Sequence, residues 1–224
     1  MPRPFLALAA GLFLLVPARV VLAAAPVHDF ARWESEVAAY EAQDRASPPP
    51  KGALLFAGSS TIRMWTTLAA DFPGHDVVNR GFGGTEIVDS THFADRLIFP
   101  HAPRVIYLRA GGNDLHNGKT PRQVLADFKE FVAVIHTRLP ATDIWYIAAN
   151  PTIARLGETG ATAELNGLIQ AFARWHARVH YLDAWSVSLD AAGKVRPELF
   201  REDLLHFNAA GYKLLAERVR PCVR

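Results

Sequence analysis

Cysteine is almost missing from this sequence: one residue, Cys222, in 224. That excludes an intramolecular disulfide framework and any zinc site built from clustered cysteines. Neither sign of charge is in excess, with 24 Lys and Arg against 22 Asp and Glu and a formal net charge of +2. Such a balance gives no electrostatic reason to expect nucleic acid as a partner. The composition is near the globular average and holds no repeat or low-complexity tract, which excludes disordered, collagen-like and coiled-coil chains. Long apolar runs are lacking too. Residues 5–16 are wholly apolar or glycine, yet about twelve residues fall short of the roughly 20 that a membrane-spanning helix needs.

That short run has a telling context. Arg3 precedes it, no acid lies nearby, and residues 21–25 read VLAAA. A basic start, an apolar stretch and small residues at its end form the pattern of a secretory signal peptide, with cleavage expected after Ala23 or Ala25. Pro17 and Arg19 interrupt any longer apolar helix. Removing residues 1–25 takes away Arg3 and Arg19 and no acid, which cancels the formal charge of +2. The expectation is an exported protein, periplasmic or secreted, soluble and without a stable membrane anchor after cleavage. Oligomeric state is not legible.

Residues 28–45 place Phe30, Trp33, Val37 and Tyr40 at steps of three and four, a helical stripe. The run Ser47-Pro48-Pro49-Pro50-Lys51-Gly52 then breaks regular structure. Residues 26–52 therefore read as an N-terminal helix with a proline-rich lead-in, and 53–224 as one domain. Within it, short apolar stretches at 53–57, 76–79, 104–109, 143–148 and 179–182 read as strands. Helical stretches at 62–70, 86–96, 121–138, 162–178 and 209–219 alternate with them. Thr120 with Pro121 can open the helix at 121, and Asn208 can cap the last one. The alternation predicts an α/β fold, a flavodoxin-like three-layer α/β/α sandwich around a five-stranded parallel sheet.

In such a sheet ligands gather beyond the carboxyl ends of the strands. Four segments there carry chemistry. Gly58-Ser59-Ser60 follows the first strand, so one of two serines stands on a strand-to-helix turn; helix capping would explain both equally well. Asn79-Arg80-Gly81-Phe82-Gly83-Gly84 follows the second, and its spacing does not fit a dinucleotide loop. Gly111-Gly112-Asn113-Asp114 follows the third, where Asn113 is either an amide donor or an Asx-turn. Asp203-Leu204-Leu205-His206 lies near the carboxyl end and lets a carboxylate orient an imidazole one turn away. His75, His92, His101, His136, His176 and His180 have no acid or nucleophile context in the sequence. No histidine pair joins i, i+4 spacing to a third ligand, so no metal is expected.

In this order and at these strand ends, the four segments resemble the SGNH hydrolases, the GDSL-type esterases and lipases. The lead-in helix and the sequence GSSTIRMW are similar to the subgroup of platelet-activating-factor acetylhydrolase subunits. The resemblance implies Ser60 as nucleophile, His206 as base and Asp203 as its orienting acid. It implies an oxyanion hole from the amides of Ser60 and Gly84 and the side chain of Asn113. The family's acid before the nucleophile is Ser59 here, which leaves Ser59 as a rival nucleophile. The implied activity is hydrolysis of carboxylic esters, on a small-molecule or glycan substrate and with no cofactor; the sequence has no long lid segment and no large apolar insertion, and short or medium acyl chains are expected. A deacetylase or acyltransferase would share every residue, and an inert binding protein would keep the fold alone. Trp65, Phe82, Leu115, Ile153, Leu205 and Phe207 are candidates for the acyl pocket, and Arg63 and Arg80 for a polar leaving group.

Overall fold

The computed structural model describes residues 28–223. The expected signal peptide therefore lies outside the described residues. A single 3-10 turn at Ala31–Trp33 leads into α1, Glu34–Ala46, and the proline segment carries the chain to β1, Leu54–Gly58. Two short helices follow, α2 at Ser60–Arg63 and α3 at Leu68–Asp71, and then β2, Val77–Gly81. The next pair is α4, Ile87–His92, and α5, Ala94–Leu97, before β3, Val105–Arg109. Then come α6, Gly112–His116, α7, Pro121–Arg138, and β4, Asp143–Ile147. The chain closes with α8, Thr159–Ala173, β5, Val179–Leu182, and α9, Ala209–Val219.

All four strand pairings are parallel, in the order β2-β1-β3-β4-β5. This is the flavodoxin-like order, which reverses direction at β1 and β3 and opens a crevice at their carboxyl ends. Alternate residues of the central strands feed two separate cores. Leu55, Ala57, Ile106 and Leu108 face the layer of α4, α5, α7 and α8, into which Trp33 and Val37 also pack. Leu54, Phe56 and Tyr107 face the layer of α2, α3 and α9. Burial on both faces is why these strands read as continuous apolar runs rather than alternating ones.

The predicted caps are formed. Thr120 Oγ1 accepts from the Gln123 amide at 3.3 Å while Gln123 Oε1 accepts from the Thr120 amide at 2.8 Å. Asn208 Oδ1 accepts from the amides of Ala210 and Gly211. The boundaries of α7, β5 and α9 match the sequence reading. Two expected helices are instead broken. The stretch 62–70 splits because Trp65 turns into the core, where it is 1% exposed and donates to Asp71 at 2.7 Å. The stretch 86–96 splits at Phe93, which is buried edge-on against Phe82. The helix expected at 162–178 starts and ends earlier, at Thr159–Ala173, and the five-residue α6 has too few residues to show a period. Among the described residues no helix is long and apolar enough to cross a membrane.

Candidate active site

The site begins with a steric requirement. Gly58 ends β1 at φ 127, and a Cβ there would collide with the backbone of Arg109 on β3. Only glycine lets the chain turn this close to its neighbour strand. Ser59 follows in extended conformation and makes no side-chain cap, and Ser60 opens α2. Ser60 Oγ stands 2.9 Å from His206 Nε2.

His206 is held from its other side. Its Nδ1 lies 2.6 Å from Asp203 Oδ2, while Asp203 Oδ1 accepts from the amides of Leu205 and His206, each at 2.9 Å. This is an Asx-type turn, and it places Leu204 at φ 53. Burial alone would raise the Asp203 carboxyl, but the bonds from the His206 amide, the His206 ring and the Leu205 amide outweigh it and hold it at about 2. An acid this stable as an anion keeps the proton on the His206 Nδ1 and leaves Nε2 as an acceptor for the serine hydroxyl.

The glycine turns after β2 and β3 meet through Asn113, which lines the same cleft as Ser60 and His206, whereas Gly84 is not among the residues lining it. Gly111, at φ 104, lies where a Cβ would press on Leu165 and the Tyr146 hydroxyl, at 2.9 and 3.0 Å. That turn sends Asn113 back toward the β2 loop, where Nδ2 donates to the Thr85 carbonyl at 3.0 Å. Gly84, next to Thr85, has φ 74 and rests against Trp33. Asn113 Oδ1 accepts from Arg155 Nη2 at 3.1 Å.

A cleft of about 80 Å³ runs over these residues, lined by Ser59, Ser60, Asn113 and His206 and by Arg109, Asn150, Arg155, Glu158, Leu205 and Phe207 among others. Of the pocket candidates, Leu205 and Phe207 line it. Trp65 does not: it packs against Phe56, Phe72 and Tyr212 in one core. Phe82 and Leu115 are buried in the other, and Ile153 is not in the lining. Arg80 is buried with Asp44 and stacked over Tyr40, and Arg63 faces Glu36 at 3.7 Å, so neither reaches the cleft. His101 and His180 turn out to have acid partners, Asp44 at 3.2 Å and Asp143 at 2.9 Å, both away from the cleft. The acids are remote in sequence, so no local pattern reveals them.

Arg109, Arg155 and Glu158 are charged lining residues that sequence reasoning missed. Arg109 ends β3, 7% exposed, and donates to the Ala148 carbonyl and Asn150 Oδ1; burial lowers its pKa to about 10. In sequence it is only the last residue of a strand. Arg155 lies in an irregular turn with no period to read. Among the described residues no group of three or more His, Cys, Asp or Glu could hold a metal ion.

The GDSL-like lipase/acylhydrolase family model matches residues 47–214. Solved structures with the same fold include a Streptococcus pneumoniae protein named for platelet activating factor, 20% identical, with a TM-score of 0.75, covering 86% of this chain and 92% of that one. A GDSL-like lipase from Bacteroides thetaiotaomicron is 14% identical with a TM-score of 0.67, covering 87% and 96%. An acetylxylan esterase from Geobacillus stearothermophilus, crystallised as catalytic serine-to-alanine and histidine-to-alanine mutants, is 14% identical, with a TM-score of 0.60 for the serine mutant and coverage of 76% and 94%. No curated protein matches the sequence. The family match spans most of the chain and includes every residue of the cleft described above: this protein belongs to the GDSL-like lipase/acylhydrolase family.

Proposed function

We propose that this acylhydrolase cleaves carboxylic esters of short or medium acyl chains through Ser60, His206 and Asp203. The observation that carries the reading is the unbroken relay from Ser60 Oγ through the His206 ring to Asp203, opening on the cleft. His206 Nε2 takes the hydroxyl proton as Ser60 Oγ bonds to the ester carbon, and the carbonyl oxygen becomes an anion. The amides of Ser60 and Gly84 and one N–H of Asn113 receive that charge. His206 then protonates the departing alcohol, and a water attacks the acyl-enzyme with His206 again as base.

The cleft, of about 80 Å³, has room for roughly five to eight waters at about 10–15 Å³ each by the same measure, which fits short or medium acyl groups. That size also supports a second reading, O-deacetylation of a carbohydrate, because an acetyl group is the smallest common acyl unit on glycans. The acetylxylan esterase shares the fold. For the chain as a whole we propose a signal peptide at 1–25, a lead-in at 26–52 and the hydrolase domain at 53–224, with export to the periplasm or the medium. N-terminal sequencing of the mature protein tests the export.

Turnover of p-nitrophenyl esters from acetate to decanoate tests the activity, with Ser60→Ala and Ser59→Ala alongside wild type. The expected result is cleavage of the short and medium esters ahead of decanoate, loss with Ser60→Ala and retention with Ser59→Ala. Wild-type turnover by Ser60→Ala would reject the assignment, and acetylated xylan against p-nitrophenyl acetate separates the two substrate readings.

A further inference from the structure

The irregular segment between β4 and α8 belongs to none of the sequence motifs, yet it places a cation against the Asn113 loop. Arg155 is half-buried, and both terminal nitrogens of its guanidinium are engaged. Nη1 donates to the Gly112 carbonyl at 3.0 Å and Nη2 to Asn113 Oδ1 at 3.1 Å. Both acceptors are neutral, so the rigid fork acts here as a two-point clamp rather than as half of an ion pair.

The clamp determines which way the Asn113 amide faces. An asparagine amide has a broad, roughly two-fold torsion, so it needs outside partners to choose between its two orientations. With Oδ1 held by Arg155 and one Nδ2 hydrogen given to the Thr85 carbonyl, the second Nδ2 hydrogen is left for the cleft. Rotated the other way, the amide would point its oxygen where a donor is needed.

Arg155 is itself braced. The amide of Ala154 donates to the Leu204 carbonyl at 3.1 Å, between Asp203 and His206 in the chain. Glu158, from the same segment, reaches His116 of α6 at 2.6 Å. The segment thus touches both the loop that carries His206 and the helix that carries Asn113.

We propose that Arg155 is a positioning residue of the oxyanion site, fixing Asn113 with a side-chain N–H toward the reacting oxygen. The inference rests on the role given to Asn113 in the proposed esterase reaction. A double-mutant cycle on p-nitrophenyl acetate tests it, with Arg155→Met, Asn113→Ala and the pair. Removing an oxyanion donor outright typically lowers turnover by about 10²–10³-fold, so loosening one should lower kcat on the order of 10-fold. KM should stay within about threefold, and Arg155→Lys should recover part of the loss. In the Asn113→Ala background, Arg155→Met should cost less than about twofold. An equal loss in both backgrounds, or a rise in KM with kcat intact, overturns the proposal. Hydrogen exchange of the Asn113 side-chain amide, read by NMR, needs no turnover. Arg155→Met should speed it, and unchanged exchange overturns the proposal. If wild type cleaves no ester while Arg155→Met still frees the amide, the esterase reading fails and the positioning role stands.

Discussion

His206 Nε2 stands 2.9 Å from Ser60 Oγ, across 146 residues of chain. The sheet order makes this approach possible. Ser60 follows the central strand β1, and His206 sits in the long loop between β5 and α9, which returns across the carboxyl edge to pack α9 beneath α2 and α3. Tyr212 of α9 donates to the Thr61 carbonyl at 2.9 Å and locks the two segments together.

The contact predicts a clear division between the adjacent serines. Ser60→Ala should lower ester turnover by about 10⁴-fold or more, while Ser59→Ala should keep it within about tenfold. A fluorophosphonate probe read by mass spectrometry should label the peptide at Ser60, and labelling at Ser59 would reverse the assignment.

Asp203 should matter through the imidazole tautomer. Asp203→Asn would let the side chain present either an oxygen or an N–H to Nδ1, so turnover should fall by about 10²–10⁴-fold. With the carboxyl held at about 2, wild type carries this anion throughout pH 5 to 9. The carboxyl therefore adds no titration of its own to the wild-type profile in that range, and turnover of Asp203→Asn equal to wild type would count against the orienting role.

Asp114 predicts a pH-dependent stability. It is fully buried, with Oδ1 accepting from the Ile87 amide and Oδ2 lacking a partner. Burial, helped by the charge of Glu86 and opposed by the Ile87 amide and Lys119, raises it to about 7. In the unfolded chain the proton leaves near 3.8. Stability from this residue is then complete below that value and declines as pH rises toward 7, by at most about 4 kcal/mol. Thermal unfolding at pH 5 and 8 checks it: the Tm of wild type should fall relative to Asp114→Asn between the two, and parallel Tm values would refute the titration.

Trp33 precedes the family match at 47–214, yet it packs edge-on to Phe82 and lies against Gly84. Trp33→Ala should cost about 3 kcal/mol, measured by urea unfolding, from a cavity that α1 cannot fill. Because the lost contact supports the Gly84 turn, kcat should fall as well. Unchanged kcat would show that the turn before α1 stabilises the domain without shaping the site.

Gly58→Ala joins strain at φ 127 to a collision with the Arg109 backbone. Three kcal/mol or more of destabilisation, on the order seen for special backbone positions, should follow in the same urea assay. A stable, active Gly58→Ala protein would mean that the β1 turn relaxes freely.

The strands were legible because the central ones are buried on both faces, so that LLFAG and VIYLR stand out from any neighbouring pattern. The caps at Thr120 and Asn208 were legible because capping is a rule of a few consecutive residues. Asp203 and His206 were paired in sequence for the same reason, three residues apart. The broken helices were not, since Trp65 and Phe93 continue a helical spacing on paper and leave it only to fill space in the cores.

Sequence by itself thus determined the alternation of strands and helices, the caps, and the residue types waiting at each strand end. Tertiary structure decided which of those residues meet. An apolar side chain near a motif looks alike whether it faces a cleft or a core, so Trp65, Phe82 and Leu115 went to the interior while Leu205 and Phe207 line the opening. Arg155 carries no periodic or motif signal, because its partners, Gly112 and Asn113, stand more than 40 residues earlier and approach it only once β3 and β4 lie side by side.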